Sequence, residues 1–454
     1  MAPAGRPPRI AHCVGFYFPD MVGGTEVYVQ DLVSELTKRE VDGYVIAATN
    51  EVYRQYDWQG VPVIRYPNNW ASIREYAPTR PRAGLSKFQE LILENRPDIF
   101  HLHSWTSGAG LNHLSQIAQL GIPCIVTMHV PSALCMRGTM LLHGRQACDG
   151  RIDEKRCAQC WSEFRGVPSS LAYAMAHLPR MSFEILAPTN KIVSRAMTLL
   201  SARSRAVVQA HELHHMADLS ATIVAPSGWV HSGLLANGIA PSKLIVSRQG
   251  VAGGLVEEAA RGSRKQPSEE LVVGFVGRLE HYKGVHILLE AMARIPKHLP
   301  LRLRVAGSGT EPDYLRKLIV AAGQDKRIEF CGSISRTEVP DFLRSVDVLA
   351  VPSNYMETGP LVVLEAHAFG VPVMGADLGG ISERIRNGVD GWLLPFDDSA
   401  AWATAIQEIA LDRAKLAQIA LNIEPCRTMG DVAAEMAALY REILSGPPNE
   451  TAAA

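Results

Sequence analysis

The sequence predicts an α/β fold built from two doubly wound, Rossmann-like domains. Short buried-strand patterns alternate with helical patterns across residues 9–250, which is typical of a parallel sheet with helices on both faces. A segment rich in Gly, Arg and Glu at 251–267 has the composition of an interdomain linker. The same alternation then restarts at 271–277, so we expect the architecture to occur twice.

Length and charge narrow the class of protein. A chain of 454 residues is too long for a single hydrophobic core. Its 45 basic and 46 acidic residues leave a net charge of -1, which offers no broad electrostatic surface for nucleic acid. No long apolar run or signal-peptide pattern occurs, so we expect a cytoplasmic protein.

The first half opens with a predicted buried strand at 9–18. Val29, Leu32, Val33 and Leu36 recur at helical spacing and predict the helix that follows. Further strands of this half are predicted at 45–48, 61–65, 99–102, 124–128 and 222–227.

The second half repeats the strand-then-turn pattern at 271–277, 301–309, 327–332 and 347–353, with a helix at 285–292. Ligands of doubly wound sheets bind at the carboxyl ends of the strands. We therefore expect the chemistry of this half to lie in the loops that follow these strands.

The segment NYMETGPLVVLEAHAFGVPVMG carries the strongest local pattern. Gly359 and Pro360 follow a predicted strand and open a helix, whose first N–H groups form an anion site. Glu357 and Glu365 flank that site, and carboxylates there suit sugar hydroxyl groups better than phosphate. Solvated glutamates beside a capped helix are the alternative interpretation.

Arg278 and Lys283 follow the strand at 271–277. Two cations beside a helix N-terminus suit a pyrophosphate that departs with negative charge. Ordinary surface cations are the alternative.

Seven motifs then occur in a fixed order along nearly the whole chain: GGTE (23–26), TMH (127–129), APS (225–227), VGRLEHYKG (276–284), VAGSG (305–309), CGSIS (331–335) and the Glu357/Glu365 pair. In this series the sequence resembles the GT-B glycosyltransferases of family 4, which are retaining enzymes with nucleotide-sugar donors.

The resemblance implies two Rossmann-like domains that face each other across a cleft. Residues 1–250 would form the acceptor-side domain with a cysteine-rich insertion at 130–165, and 251–428 the nucleotide-sugar-binding domain. A helix at 429–446 would pack back on the first domain, and 447–454 would be a disordered tail.

Roles for individual residues follow from the same resemblance. Arg278 and Lys283 would bind the donor diphosphate, Glu365 the ribose, and Glu357 the donor sugar. Ser333 and Ile334 would meet the base, and His129 would lie near the reacting sugar carbon. The residues thereby assigned to donor binding are Gly23, Gly24, Gly277, Arg278, Lys283, Ser333, Ile334, Gly359, Pro360, Leu361, Val362 and Glu365. Those assigned to the chemical step are His129, Arg278, Lys283 and Glu357.

Two departures from the family pattern concern the donor sugar. Thr358-Gly359-Pro360 stands where the family commonly has a Phe-Gly pair, and Gln249-Gly250-Val251-Ala252 stands where it commonly has Asn-Gly-Val-Asp. These changes leave the phosphate contacts in place and leave the sugar undetermined.

The expected reaction moves a sugar from a UDP-, GDP- or other nucleoside-diphosphate sugar to a hydroxyl of a saccharide, a lipid-linked glycan or a small molecule. The sequence offers no carboxylate nucleophile for double displacement and no strand-end Asp-x-Asp, so we expect same-face attack without a catalytic metal. A nucleotide-sugar epimerase or hydrolase of the same fold is the alternative. The oligomeric state stays open.

Half of the eight cysteines fall between positions 135 and 160, in the spacing C-x12-C-x8-C-x2-C. In a reducing compartment, Cys135, Cys148, Cys157 and Cys160 favour a structural zinc site, because a glycine-rich loop of about 30 residues lacks an evident core of its own. Disulfides and free thiols remain alternatives. A zinc-dependent nucleic-acid-binding module is a further alternative, which the near-neutral charge disfavours.

Three other patterns carry weaker hypotheses. HELHH at 211–215 matches the zinc-protease motif, but no third ligand follows at a familiar spacing. His101 and His103 at a strand end would line the acceptor cleft or simply be packed. Basic residues between 189 and 210 suggest peripheral contact with the inner face of a membrane, although a solvated helix face is the preferred interpretation.

Overall fold

The computed structural model describes residues 6–20, 23–68, 84–106, 108–179, 198–262, 269–310, 312–323 and 325–446. The chain divides into two compact units, one formed by Met1–Arg248 with Gly430–Ala454 and the other by Gln249–Met429. Each unit is an α/β sandwich around its own sheet, as the sequence predicts.

The first unit is built on an eight-stranded sheet in the order β10-β9-β6-β5-β1-β2-β4-β3. All neighbouring pairs are parallel except β3 with β4. Its strands are β1 Arg9–Val14, β2 Asp42–Thr49, β3 Arg54–Trp58, β4 Val61–Pro67, β5 Ile99–Leu102, β6 Cys124–Thr127, β9 Thr222–Ala225 and β10 Leu244–Val246, with a separate hairpin of β7 Leu141–Leu142 and β8 Gln146–Ala147.

Helices cover this sheet and bury their apolar stripes. Helix α1 shows the predicted spacing, with Val29, Leu32, Val33 and Leu36 all fully buried. The helices of the first unit are α1 Gly24–Thr37, α2 Leu85–Asn95, α3 Leu111–Gln119, α4 Glu154–Phe164, α5 Ser169–His177, α6 Ala202–Leu219, α7 Gly228–Ala236 and, at the end of the chain, α16 Met429–Ser445.

The second unit has a six-stranded parallel sheet in the order β13-β12-β11-β14-β15-β16. Its strands are β11 Leu271–Val276, β12 Leu301–Ala306, β13 Ile328–Gly332, β14 Val348–Val351, β15 Val373–Ala376 and β16 Gly391–Leu394. Its helices are α8 Gly253–Arg261, α9 Val285–Arg294, α10 Pro312–Ala322, α11 Val339–Arg344, α12 Leu361–Ala368, α13 Gly379–Ser382, α14 Ser399–Leu411 and α15 Arg413–Leu421.

Three sequence-based expectations about local structure are wrong. The segment expected to be a linker contains helix α8, whose Leu255 is buried. Pro360 precedes α12 as its N-cap and is not the first helical residue. Strand β1 ends at Val14, four residues before the predicted end. Positions 263–268 and the tail at 447–454 lie outside the described residues.

The cysteine-rich insertion also has more structure than its sequence indicates. The hairpin β7–β8 leads into α4, whose N-cap Asp153 accepts hydrogen bonds from the backbone N–H groups of Lys155 and Arg156. A small apolar cluster then joins α4 and α5 to the start of α6 through Ala158, Trp161, Ala176 and Ala202. The apolar cluster of the insertion is therefore shared with two helices that lie outside it.

The C-terminal helix α16 belongs to the first unit by its contacts. Tyr440 on this helix is fully buried, and its hydroxyl lies 2.7 Å from Nδ1 of His101. None of the helices in the described part of the chain combines the length and apolarity that crossing a membrane requires.

Candidate functional site

The second sheet has its topological switch point at β11, which lies between β12 and β14. Loops that leave the carboxyl ends of such strands are the usual ligand site of doubly wound folds. The loop after β11 carries Arg278 and Lys283, and the loop after β14 carries Glu357. The topology thus brings together three residues that lie up to 79 positions apart.

A glycine between these loops allows the close approach. Gly284 ends the 3₁₀ turn His281–Lys283 with φ at +75°. A Cβ at this position would lie 1.9 Å from the carbonyl oxygen of Pro352, just after β14. Only glycine satisfies both the left-handed backbone and the lack of space. It therefore holds Lys283 against the loop after β14.

Lys283 and Glu357 form a part-buried ion pair. The Lys283 Nζ lies 2.9 Å from Oε1 of Glu357, with side-chain exposures of 19% and 9%. The same ammonium donates to the hydroxyl of Tyr355 at 3.2 Å and lies 5.2 Å from its ring centre. Ser353 donates its hydroxyl to Glu357. Four polar groups thus converge at the end of β14.

The protonation states of this cluster follow from its contacts. Burial by itself lowers the pKa of Lys283, but attraction to Glu357 and hydrogen bonds to Glu357 and Tyr355 raise it above its usual value overall. Burial, followed by the nearby Glu357 charge, raises the pKa of Tyr355. Lys283 is therefore protonated and positively charged at neutral pH, and the Tyr355 hydroxyl is protonated and neutral.

Arg278 is the exposed cation of the same region. Its guanidinium lies 5.6 Å from the ring centre of Tyr282, and the Tyr282 ring meets that of Tyr355 edge-on at 5.0 Å. Two tyrosines therefore stand next to the two predicted diphosphate-binding cations. The sequence motifs did not single out either tyrosine.

Helix α12 begins directly after this cluster. The N–H groups of Leu361 and Val362 lie in its first turn, where an α-helix provides no intrahelical acceptor. Gly359 packs so closely on the buried Gln249 that a Cβ would lie 2.3 Å from its Oε1. Glu365 is half-buried one turn into the helix.

The remaining predicted donor residues of this unit lie on neighbouring loops. Gly277 follows β11 with φ at +156°, and a Cβ on Gly307 would lie 1.9 Å from its carbonyl oxygen. Gly307 in turn donates its N–H to the carbonyl of Gly332 at 2.7 Å. Ser333 and Ile334 come next in the chain. The loops that follow β11, β12 and β13 therefore lie side by side at the carboxyl ends of these strands.

His129 lies in the first unit, two residues after β6, and is 7% exposed. The Tyr28 ring meets it edge-on at 4.6 Å, and its Nε2 lies 3.2 Å from Nδ1 of His103. Gly23 and Gly24 start α1, where the carboxylate of Glu26 accepts the Gly23 N–H at 2.7 Å.

A row of buried imidazoles crosses three neighbouring strands. His12 on β1, His103 after β5 and His129 after β6 are linked in that order, with His12 Nδ1 at 3.1 Å from His103 Nε2. Burial lowers the pKa of His12 and of His129 to about 3, and it lowers those of His101 and His103 well below their usual value. All four rings are neutral at pH 7.

His101 is packed, which is one of the two interpretations that its place in the sequence left open. Its two nitrogens lie 2.7 Å from the hydroxyls of Tyr440 and Thr127. His12 was not among the predicted site residues, although a histidine in the buried part of the strand RIAHCV was a usable signal.

The four clustered cysteines line one small recess in the insertion. Cys160 Sγ accepts the backbone N–H of His143 at 3.1 Å, and burial raises the pKa of the Cys157 thiol to about 12. All four are free thiols. Among the described residues, the group of three ligand atoms within 4.8 Å of one another is His12, His101 and His103, so the thiols do not form a ready tetrahedral site.

Two weaker sequence patterns have structural explanations. HELHH lies on α6 with His211 and His215 exposed and Glu212 buried, and no third ligand joins them among the described residues. Of the basic residues between 189 and 210, Arg203 pairs with Glu154 at 2.7 Å and Arg205 donates to Ser201 at 3.1 Å. Lys191 and Arg195 lie outside the described residues.

Comparison with known proteins finds two matching family models and several similar proteins. Residues 23–160 match a family model described as glycosyl transferase 4-like domain, and 256–424 match glycosyl transferases group 1. D-inositol 3-phosphate glycosyltransferase of Corynebacterium efficiens is 34% identical over 41% of this chain and 47% of the relative. The protein of the same name from Mycolicibacterium smegmatis is 38% identical over 34% and 36%. The chain thus matches less than half the length of these curated relatives.

Solved structures share the fold over nearly the whole chain. Anabaena HepE in complex with UDP and glucose aligns with a TM-score of 0.62 at 17% identity, covering 96% of this chain and 99% of that one. Sucrose-phosphate synthase from Thermosynechococcus elongatus gives 0.65 at 17% identity, with coverage of 96% and 99%. At these identities the likeness concerns the fold alone. One family model matches the first unit and the other matches the second. Together with the fold, these matches show that the chain belongs to the GT-B glycosyltransferases of family 4.

Proposed function

We propose that this protein transfers a sugar from a nucleoside-diphosphate sugar to an acceptor hydroxyl, with retention of the anomeric configuration. The observation that carries the proposal is the Lys283–Glu357 pair at the switch point of the second sheet. It lies beside Arg278 and directly before the N-terminus of α12. The names of the curated relatives, and the UDP bound by one structural neighbour, support the same class of reaction.

The chemical requirements of such a transfer match these residues. The departing diphosphate gains negative charge, which Lys283, Arg278 and the N–H groups at the start of α12 would stabilise. Glu357 would accept hydrogen bonds from the donor sugar, and Glu365 from the ribose. The base would meet the backbone of Ser333 and Ile334. The acceptor hydroxyl would attack from the face that the diphosphate leaves, and the diphosphate oxygen would take its proton.

The first unit would supply the acceptor side, with His129 as the residue nearest the chemistry and the Gly23-Gly24 turn over the phosphates. His129 is neutral at pH 7, so its role in the proposal is hydrogen bonding to sugar hydroxyls and not charge stabilisation.

The experiment begins with donor binding. Thermal shifts with UDP, GDP and ADP and their sugars identify the base and sugar that stabilise the protein. Arg278→Ala and Lys283→Ala should abolish the shift, whereas Lys326→Ala, which removes an exposed lysine, should keep it. If both site variants bind as well as the parent, the diphosphate assignment is wrong.

The second stage separates transfer from the alternative activities. Incubation of the identified donor with candidate saccharide, inositol phosphate and lipid-linked acceptors should give product only when the acceptor is present, and NMR of the product should show the donor's anomeric configuration. Turnover without an acceptor would favour an epimerase or hydrolase of the same fold.

We also propose that the four cysteines bind one structural zinc ion. They come from three segments of the insertion and line one recess, and a backbone N–H already points at the Cys160 sulfur. Four thiolates make a closed, structural site that would tie β7–β8 to α4. Because the sulfurs lie wider apart than zinc requires, the insertion would tighten when the metal binds.

Metal analysis tests this zinc proposal. The purified protein should contain about one zinc per chain, and Cys157→Ser should lower that content. Cys331→Ser, which changes a partly buried cysteine of the second unit, should leave it unchanged. A metal-free protein with four titratable thiols in the insertion would contradict the proposal.

A further inference from the structure

The Lys283 ammonium has two protein partners and one N–H that faces neither of them. One N–H donates to Oε1 of Glu357 at 2.9 Å, and another donates to the Tyr355 hydroxyl at 3.2 Å. A lysine ammonium has three N–H donors, and the third has no partner in the part of the chain that the structure describes. Because the three N–H bonds diverge tetrahedrally, two fixed partners leave a single direction for the third.

The position of Tyr355 relative to Lys283 is set by the backbone. The N–H of Asn354 donates to the carbonyl oxygen of Tyr282 at 2.9 Å. These two residues directly precede Tyr355 and Lys283 in the chain. The Tyr282 ring also meets the Tyr355 ring edge-on at 5.0 Å. The tyrosine and the lysine are therefore held side by side by contacts that do not involve the ammonium itself.

The hydroxyl of Tyr355, and not its ring face, makes the contact with Lys283. The ammonium nitrogen lies 3.2 Å from the hydroxyl oxygen but 5.2 Å from the ring centre, which places it at the hydroxyl end of the ring. A cation–π attraction requires the cation above the ring face. Loss of this one oxygen atom should therefore remove the contact and leave the packing of the ring in place.

We propose that Tyr355 is a positioning residue that aims the third N–H of Lys283 at the diphosphate of the donor. A lysine side chain loses much rotamer freedom when it is held in one geometry, and here Tyr355 and Glu357 hold it by contacts within the protein. The third N–H is then available to a phosphate oxygen without loss of the other two hydrogen bonds. The inference rests on the proposed function, because it takes the diphosphate as the ligand of Lys283.

Two other roles for Tyr355 would suit the same location. One is a direct hydrogen bond from its hydroxyl to the diphosphate, and the other is simple packing between two loops. A positioning residue acts only through Lys283, whereas a direct ligand acts independently of it. Packing depends on the ring, whereas positioning depends on the hydroxyl. Substitutions that separate the ring from the hydroxyl, and Tyr355 from Lys283, therefore distinguish the three roles.

The first experiment measures Kd by isothermal titration calorimetry for whichever of UDP, GDP and ADP stabilises the parent. Tyr355→Phe should raise Kd roughly 2- to 12-fold, as expected for the loss of one hydrogen bond, and Tyr355→Leu should bind about as weakly. Tyr314→Phe is the matched control, because it removes a hydroxyl that lies 3.0 Å from Nδ1 of His286 in the same unit, and it should bind like the parent. Parental affinity in Tyr355→Phe, or a loss seen only in Tyr355→Leu, overturns the proposal.

The second experiment is a double-mutant cycle between Tyr355→Phe and Lys283→Ala. The titrations run to millimolar nucleotide so that the weaker variants are also saturated. Once the lysine side chain is absent, Tyr355→Phe should no longer change Kd. The same fold-change in both backgrounds would show that the hydroxyl contacts the diphosphate directly, and the positioning role would be wrong.

The outcomes separate this inference from the proposed function. A parent that binds none of the nucleotides or their sugars contradicts the proposed function and, with it, the ligand assigned to Lys283. Binding that is weakened by Lys283→Ala but not by Tyr355→Phe contradicts the positioning role alone. Melting temperatures check that each variant folds, and if Tyr355→Leu does not fold, Tyr355→Phe and the cycle still decide.

Discussion

The Lys283–Glu357 pair gives the sharpest prediction, because its two members should affect nucleotide binding in opposite directions. The Lys283 ammonium is engaged by Glu357 at 2.9 Å and by the Tyr355 hydroxyl at 3.2 Å. An incoming diphosphate must share or replace these contacts. It gains a cation that is already oriented and meets a carboxylate that repels it.

The magnitude of the Lys283→Ala effect follows from the contact that is lost. A hydrogen bond between charged groups contributes about 1.5–3 kcal/mol. Its loss corresponds to a rise in Kd for the nucleoside diphosphate of roughly 10- to 150-fold. Glu357, with a side chain only 9% exposed, would also remain without its counter-ion and add repulsion.

Glu357→Gln has the opposite sign. Glutamine preserves the shape of the side chain and its contact with Ser353, and it removes the negative charge beside the phosphate site. We expect Kd for UDP, or for whichever diphosphate binds, to stay the same or fall. Transfer should nevertheless slow, because the proposed contact with the donor sugar is weakened.

Isothermal titration calorimetry with the free diphosphate measures both variants, with Lys326→Ala as the control and circular dichroism to confirm folding. Weaker binding in Glu357→Gln than in Lys283→Ala would refute the assignment of Lys283 as the phosphate cation. It would also point to Glu357 as a direct ligand of the diphosphate.

Three further predictions concern the stability of the fold and the HELHH motif at 211–215. The pKa of His12 is about 3 in the folded protein and about 6.5 in the unfolded chain. Between these two pH values the unfolded chain therefore binds one more proton than the folded protein at this residue. The stability that the neutral ring contributes is complete above pH 6.5 and declines at about 1.4 kcal/mol per pH unit below it. Urea unfolding at pH 7, 6 and 5 should show a shallower decline in His12→Leu than in the parent. Gly284→Ala should lower the melting temperature more than Gly388→Ala. Both glycines have φ near +75°, but only at Gly284 would a Cβ lie 1.9 Å from a carbonyl oxygen. Equal shifts in melting temperature would show that the loop around Gly284 adjusts to remove the clash. Glu212→Gln should leave transfer intact, and loss of a peptidase activity in this variant would instead support the zinc-protease interpretation of HELHH.

Local sequence patterns were sufficient for most elements of the fold. The apolar spacing of α1 and the buried runs at β5 and β9 predicted these elements within a few residues, because helix and strand periodicity is a local property. Strand β3 escaped prediction, since it is an edge strand that pairs antiparallel with β4 and alternates between half-buried and exposed residues. The structure of the cysteine-rich insertion was also missed, because its apolar cluster joins Ala158 and Trp161 to Ala202 on another helix.

In the candidate site, too, some features follow from the local sequence and others only from the tertiary structure. The sequence by itself determined the residue types and the order of the motifs, and hence the family, the cations Arg278 and Lys283 and the carboxylate Glu357. Only the tertiary structure decided that Lys283 pairs with Glu357, 74 positions away, and that His12 reaches His129 through His103. These contacts depend on which parallel strands become neighbours and in what register. That choice is made by the packing of whole sheets and is not contained in any local stretch of the chain.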